Sequence, residues 1–350
     1  MISKHIINLK ESAREALQIL SSITDNSSLT LFVVDHNDIL RGTVTDGDIR
    51  RGLLNNLEIT QSIELFMNSN FKYIRNSSNN SVDLKKFKIQ GVGLIPLLDE
   101  HNKLIEVIDL NKRKAALPIT ALIMAGGIGE RLKPLTDTLP KPMLIIGEKP
   151  IIEHNIDRLI SYGVKNFYIS VRYLKEKIIS YLGDGSSKGV KIYYIEEQNP
   201  LGTIGAITKL NQINHDDILV MNSDILTNID FEDFYNSYKL QNSDMMLASI
   251  PYIVAVPYAV LNTKDQFIQS FEEKPNYTYY SNGGIYLMKF ALKNKLVYDN
   301  FCNATDLMNI LLQEKENGLT HYPILGYWLD IGKHSDYLKA KEDINHINLY

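Results

Sequence analysis

Ala-Leu-Ile-Met-Ala-Gly-Gly-Ile-Gly-Glu-Arg-Leu-Lys-Pro-Leu-Thr-Asp-Thr-Leu-Pro-Lys-Pro-Met, residues 121–143, runs a short apolar segment into glycines and then into basic residues. The run 121–125 has the length and uniform apolarity of a strand buried on both faces of a parallel sheet. Gly126, Gly127 and Gly129 let the backbone turn sharply, and successive peptide N–H groups in such a turn can face an anion. Arg131, Lys133 and Lys141 set positive charge beside that turn. The combination reads as a phosphate site, although Gly-Gly-x-Gly alone would be read more simply as a turn before a solvated basic face. Two common phosphate loops do not fit. A Walker A loop needs Gly-Lys-Ser/Thr after its second glycine, where Glu130-Arg131 follow Gly129, and a dinucleotide fingerprint needs a third small residue where Leu132 stands.

The 350 residues, 44% hydrophobic and 22% charged, suffice for two domains with cores of their own. A formal net charge of −4 gives no overall field for nucleic acid, so positive charge matters only where it is clustered. Cys302 is the only cysteine, which excludes an intrachain disulfide and a multi-cysteine zinc site. No apolar run reaches the length of a membrane span, and the first ten residues lack a signal-peptide core. The expectation is a cytoplasmic protein with no membrane or nucleic-acid partner.

Beyond the glycine turn the periodicity alternates. Helical patterns at 150–162, 174–182 and 203–210 separate apolar runs at 166–171, 191–195 and 217–221. Such a βαβ series implies a Rossmann-like α/β domain with a mainly parallel sheet and right-handed crossovers. Ligands of these sheets sit beyond the carboxyl ends of the strands, where both Gly126 and Asp224 fall.

Gly-x-Gly-Glu-Arg-x-x-Pro-Leu-Thr, followed by Pro140-Lys141-Pro142-Met143, resembles the signature of the nucleotidyltransferases that make nucleotide sugars from a nucleoside triphosphate and a sugar 1-phosphate. Pro200-Leu201-Gly202-Thr203-Ile204-Gly205 is similar to the segment of that family that meets the base, with Ile204 in place of alanine. Glu273-Lys274-Pro275 and Asn282-Gly283-Gly284-Ile285-Tyr286 resemble its sugar-side motifs. The resemblance implies a GT-A-like fold with the nucleotide held by Ala125, Gly126, Gly127, Gly129, Arg131, Glu197, Pro200, Gly202, Thr203 and Asp224. It implies Arg131, Lys141 and Asp224 as catalytic residues, and Glu273, Lys274, Asn282 and Gly284 on the sugar phosphate. Asp224 and Asp330 are implied as paired ligands of Mg²⁺, a pairing that spacing alone could not have made.

Residues 1–115 carry an internal repeat of about 60 residues. A helical pattern at 11–20, strands at 29–34 and 39–44 and a helix from 46 are followed by a weaker copy: short helices at 63–67 and 83–88, then strands at 94–99 and 103–109. The apolar pattern from Leu29 parallels that from Leu94. The first copy resembles a CBS motif, and the pair a tandem CBS module. Gly42-Thr43-Val44-Thr45-Asp46-Gly47-Asp48 matches the family's Gly-x-x-Thr-x-x-Asp, which implies Thr45 and Asp48 as contacts of a regulatory adenine or guanine nucleotide. In the second copy Glu106, Asp109 and Lys112 take the places of Gly42, Thr45 and Asp48, so at most one site is expected. Helix capping by Asp46 and Asp48 is the competing account. Residues 116–119 then link this α+β module to the α/β transferase domain, 120–350.

The nearest such arrangement known to us is that of sugar-1-phosphate guanylyltransferases, acting on glucosamine 1-phosphate for legionaminic acid or on mannose 1-phosphate. The implied reaction joins a nucleoside triphosphate, GTP first, to a sugar 1-phosphate and releases pyrophosphate. Uridylyl or thymidylyl transfer is the alternative, and a nucleotide-sensing regulator with an inactive transferase domain is the alternative of another class. A homo-oligomer is expected, because CBS pairs often associate edge to edge.

Overall fold

A computed structural model describes residues 3–23, 28–75, 80–111, 113–314, 318–347 and 349; Lys112, aligned above with Asp48, lies outside the described residues. The chain divides into two compact units, Met1–Leu117 with Ser161–Gly163 and Pro118–Ile160 with Val164–Tyr350.

The first unit holds two three-stranded sheets. One is made of β1 (Ile6–Asn8), β2 (Thr30–Val34) and β3 (Leu40–Thr45), the other of β4 (Ile74–Arg75), β5 (Leu94–Leu98) and β6 (Leu104–Asp109). In each, the first strand runs parallel to the central one and the third antiparallel. β1 and β4 are too short to show a period, so sequence reading did not find them. Helix α1 (Ala13–Ser22) opens on a capping box of Ser12 with Glu15 and turns Ala13, Ala16 and Leu20 inward. Helices α2 (Asp46–Leu54) and α3 (Asn80–Ile89) follow, while the helix expected at 63–67 is a single 3₁₀ turn, Ile63–Leu65.

The repeat is clearest at its hairpin turns. The Asp35 carboxylate accepts from the N–H groups of Asn37 and Ile39, and the Asp99 carboxylate from those of His101 and Lys103. Asp38 and Asn102 take left-handed φ values of 60° and 63°. The two turns bond each other reciprocally, Leu40 N–H to the Asn102 carbonyl at 3.0 Å and Leu104 N–H to the Asp38 carbonyl at 3.2 Å. This local twofold makes Leu94 the equivalent of Thr30, one residue on from the match suggested by the apolar pattern. The slip has a physical cause: a continuous apolar run fixes no register, and the aspartate turn does. Phe32, Val34 and Leu40 from one sheet pack with Leu94 and Leu98 from the other.

The second unit is built on β7 (Ile119–Ala125), whose seven residues are all buried. A small hairpin of β8 (Ile145–Ile146) and β9 (Lys149–Pro150) leads into α4 (Ile151–Ser161). Then come β10 (Asn166–Val171), α5 (Lys175–Leu182), β11 (Lys191–Glu196), β12 (Asp217–Asn222), β13 (Ile225–Thr227), α6 (Phe231–Leu240), β14 (Met245–Ala255), β15 (Val260–Lys264), β16 (Phe267–Glu272) and β17 (Asn276–Lys289). The chain finishes with α7 (Ala304–Glu314), β18 (Leu319–Pro323), β19 (Trp328–Asp330) and α8 (His334–Asp343). The main sheet has the order β11-β10-β7-β12-β17-β14-β18. Among its described strands β17 alone runs against the rest, so the sheet is mixed and mainly parallel.

Two features depart from the sequence reading. Residues 203–210 form a 3₁₀ segment, Gly205–Lys209, instead of an α-helix. Gly202 sits at φ +74°, and Cβ atoms on Gly202 and Gly205 would lie 2.4 Å from the Cys302 carbonyl and 2.6 Å from that of Asn300, so the backbone lies flat against that loop. Beyond the sheet, β14 and β17 stay paired as far as Ala255 opposite Asn276, and the β15–β16 hairpin extends from them. Every residue of β16 is exposed, Phe267 at 74% and Phe271 at 66%.

Phe32 is fully buried between the two repeats of the first unit. Phe32→Ala should lower the stability of that unit by roughly 3–5 kcal/mol, read as an early transition in urea; a loss below about 1 kcal/mol would show that the two sheets do not share this core.

Candidate active site

Four parallel strands deliver the site to one edge of the sheet. Val171 of β10 lies opposite Ala125 of β7 and opposite Glu196 of β11, and Asn222 of β12 lies opposite Met124. Continued past the strand ends, that register sets Glu197, Arg172, Gly126 and Asp224 side by side at the end of the sheet.

Gly126 has room for no side chain. A Cβ there would lie 2.7 Å from Glu197 Oε1. Glu197 is buried and cannot withdraw, because Ser170 Oγ donates to its Oε1 and the Leu201 N–H to its Oε2 at 3.1 Å. The carboxylate thus ties the glycine turn to the Leu201 loop. Gly127 faces open space, and Gly129, at φ +74°, starts the 3₁₀ turn Glu130–Leu132, its carbonyl accepting from Thr136 Oγ1 at 2.9 Å. Arg131 is exposed, with Nη2 beside Gly332.

The acidic pair comes from a second ladder. β13 and β19 run antiparallel with Ile225 opposite Asp330, and the Ile331 N–H donates to the Asp224 carbonyl at 3.1 Å. Lys141 Nζ donates to Asp224 Oδ2 and lies 3.8 Å from Asp330 Oδ1. Asp224 Oδ1 and Asp330 Oδ1 are both buried without a hydrogen-bond partner. Burial, and then the neighbouring Asp224 charge, push the Asp330 carboxyl above the ordinary carboxylate range, against the pull of Lys141 and Arg131. Two orphaned, hard oxygen donors this close suit a divalent cation such as Mg²⁺, and Asp224 and Asp330 are the residues that could hold it.

Two cavities meet here. One, about 280 Å³, is lined by Gly126, Gly127, Lys141, Arg172, Glu197, Pro200, Gly202, Asp224 and Phe301 among others. The other, about 290 Å³, is lined by Asn282, Gly284, Tyr286, Trp328 and Asp330 among others. Thr203 and Asn222 belong to both. Gly284, at φ +70°, lets the chain pass so close that a Cβ would lie 2.8 Å from Asn222 Nδ2, and the Asn282 side chain accepts from its N–H at 2.9 Å.

Most of the residues expected from sequence line one cavity or the other. Ala125, Gly129 and Arg131 stand behind or beside them. Glu273 and Lys274 line neither: both are exposed where the β15–β16 hairpin joins β17, with Lys274 at φ +46°. Arg172, Asn222, Phe301 and Trp328 were missed. Arg172 carried a usable signal, since it follows its strand as Gly126 follows β7; Phe301 sits in a loop and Trp328 in a three-residue strand, neither with a periodic signal. In the first unit, Thr45 is the N-cap of α2 and Asp48 its reciprocal partner: Asp48 Oδ2 accepts from the Thr45 N–H at 2.8 Å and from Thr45 Oγ1 at 2.6 Å, and Arg51 pairs with Oδ1. The capping account describes what these two side chains do here.

Residues 120–346 match the family model described as nucleotidyl transferase. The chain belongs to this family. Among similar members is a D-glycero-alpha-D-manno-heptose 1-phosphate guanylyltransferase of Aneurinibacillus thermoaerophilus, 30% identical over 65% of this chain and 98% of its own. Another is the probable mannose-1-phosphate guanylyltransferase 1 of Oryza sativa subsp. japonica, 30% identical, where the match covers 62% of each chain. The chain thus spans less than two thirds of that relative. Among solved members of the family, a putative glucose-1-phosphate thymidylyltransferase from Bacillus anthracis superposes with a TM-score of 0.54 at 26% identity, over 66% of this chain and 96% of that one. HddC from Yersinia pseudotuberculosis complexed with GMP-PN gives 0.50 at 27%, over 65% and 99%.

Gly126→Ala drives a methyl group into a carboxylate that two donors fix in place. It should weaken nucleotide binding about tenfold and cost roughly 1–3 kcal/mol of stability, measured by calorimetric titration and thermal unfolding; binding unchanged at wild-type stability would show that the turn has room to move.

Proposed function

We propose that the protein is a sugar-1-phosphate guanylyltransferase that joins GTP to a hexose 1-phosphate, glucosamine 1-phosphate or a close relative, giving a GDP-sugar and pyrophosphate for surface-glycan or legionaminic acid synthesis. The observation that carries the reading is the pair of orphaned carboxylate oxygens of Asp224 and Asp330, set with Lys141 where the two cavities meet. The guanylyltransferase names of the relatives support the base.

The reaction displaces pyrophosphate from the α-phosphorus of the nucleotide: a sugar-phosphate oxygen forms the new P–O bond as the bond to the leaving group breaks. The nucleophile is already an anion, so no general base is needed, and the work is positioning and neutralising charge. We assign the backbone N–H groups of 126–129 and Arg131 to the leaving pyrophosphate and Lys141 to the reacting phosphate. A divalent cation, taken to be Mg²⁺, held by Asp224 and Asp330 would supply further neutralisation of the phosphates. We assign Glu197 to the base, because its carboxylate suits the N1–H and N2–H₂ donors of guanine and it lines the cavity with Pro200, Gly202 and Thr203. Asn282 and Gly284 are assigned to the sugar, Glu273 to its hydroxyls and Lys274 to its phosphate, the last two reached from the β15–β16 hairpin. Thymidylyl transfer is the second reading, favoured by the name of the B. anthracis structure. For the first unit a regulatory adenine or guanine nucleotide at Thr45 and Asp48, and assembly into a homo-oligomer, stay as proposals beside the capping role.

Pyrophosphate release, assayed with GTP, UTP, dTTP, CTP and ATP against glucosamine, N-acetylglucosamine, mannose and glucose 1-phosphates, should single out GTP with an amino- or hexose 1-phosphate. Turnover with dTTP instead would replace the guanylyl reading with the second one. Asp224→Asn should lower kcat on the order of a thousandfold with the fold intact; retained turnover would remove the acidic pair from the mechanism. Chelation of divalent ions should stop turnover, and added Mg²⁺ should restore it.

A further inference from the structure

Arg172 stands between Gly126 and Glu197 in the row of residues that leaves the sheet, because Val171 lies opposite both Ala125 and Glu196. It lines the nucleotide cavity with them. Lys141, another cation of that cavity, is engaged by Asp224. Arg172 is not so engaged: among the described residues its guanidinium has no hydrogen bond or ion pair, and its Nε is buried without a partner. Arginine presents five N–H donors in a rigid fork, so the group is ready for a ligand that offers adjacent acceptors.

The sheet order tells which part of a nucleotide that would be. Asp224 follows β12, on one side of β7; Arg172 follows β10, on the other. Arg172 therefore stands on the Glu197 side of the glycine turn, away from the carboxylates assigned to the reacting phosphates. We infer that Arg172 is a specificity-determining residue whose guanidinium donates to the O6 and N7 acceptors of guanine. This rests on the guanylyl reading above and deepens it.

Guanine offers O6 and N7 side by side. Adenine sets the N6–H₂ donor beside N7, cytosine offers a donor, and uracil and thymine offer the single acceptor O4. A forked donor is fully matched by guanine and left facing a donor, or half unpaired, by the others. Unpaired polar groups in a closed site are the strongest source of discrimination between ligands of similar shape.

The test is calorimetric titration of the full chain, as wild type, Arg172→Ala and Arg172→Lys, with GTP, 7-deaza-GTP, ITP and UTP. Wild type should bind GTP more tightly than 7-deaza-GTP, which lacks N7. Arg172→Ala should lose roughly ten- to a hundredfold for GTP and for ITP, bind GTP and 7-deaza-GTP alike, and leave UTP little changed. Arg172→Lys, with one point donor, should recover part of the loss. An unchanged thermal midpoint in either variant shows that the fold is intact. Equal losses for all four nucleotides would make Arg172 a phosphate contact and overturn the inference, as would wild-type selectivity in a folded Arg172→Ala. A wild-type protein that binds UTP as tightly as GTP would overturn the guanylyl reading itself, and this failure is seen in the wild-type titrations before any variant is compared.

Discussion

Two half-buried carboxylates, each with one oxygen out of reach of water and held together by a strand ladder, are the constraint on which the rest of the second unit depends. Ile225 opposite Asp330 fixes Asp224 and Asp330 as neighbours, and neither can move away without breaking the β13–β19 pairing. Like charges partly withdrawn from water need positive charge close by. Lys141 supplies part of it from the 3₁₀ turn Lys141–Met143, and the glycine turn before it brings Arg131 to the same side. The acidic pair, the basic residues and the glycine turn thus form one electrostatic unit. Leu132, Leu226, Ile331 and Ala340 pack beneath it in one cluster, so α8, well outside the sheet, steadies the floor of the site.

The parallel half of the sheet was legible because β7 and β12 are apolar runs and β11 alternates, each ending near a chemically distinctive residue: Gly126 after β7, Asp224 after β12, Glu197 after β11. What sequence pattern could not supply was lateral order. Nothing in the spacing of Asp224 and Asp330 joins them, and nothing in residues 276–289 says that this long strand turns against its neighbours. Arg172 reads in sequence as one more charge after a strand; its meaning comes from Ala125 and Glu196 on either side of Val171. Glu273 and Lys274 show the opposite difficulty, since a recognisable motif stands on a hairpin that leaves both side chains exposed.

The first unit teaches the same lesson at smaller scale. Its apolar pattern showed a repeat but slipped by one residue, since two apolar runs of equal length align as well in either phase. The aspartates at 35 and 99 settle the phase, because each carboxylate organises its own turn through backbone N–H groups. In the same way, the Thr45 and Asp48 pattern is compatible with a ligand or with a helix cap, and only the geometry shows the two side chains bonded to each other.

The β15–β16 hairpin differs in kind from the sheet that bears it. A two-stranded ribbon has little stability of its own, so its order is inherited from the β14–β17 ladder at its base, where Ala255 meets Asn276. That closed base makes residues 256–275 a detachable module in the evolutionary sense. The segment begins and ends at one rung and none of its side chains is buried in the core, so recombination could exchange it whole. The outer surface, including the places of Glu273 and Lys274, could then diversify from one transferase to another while the sheet that positions the acidic pair stays as it is.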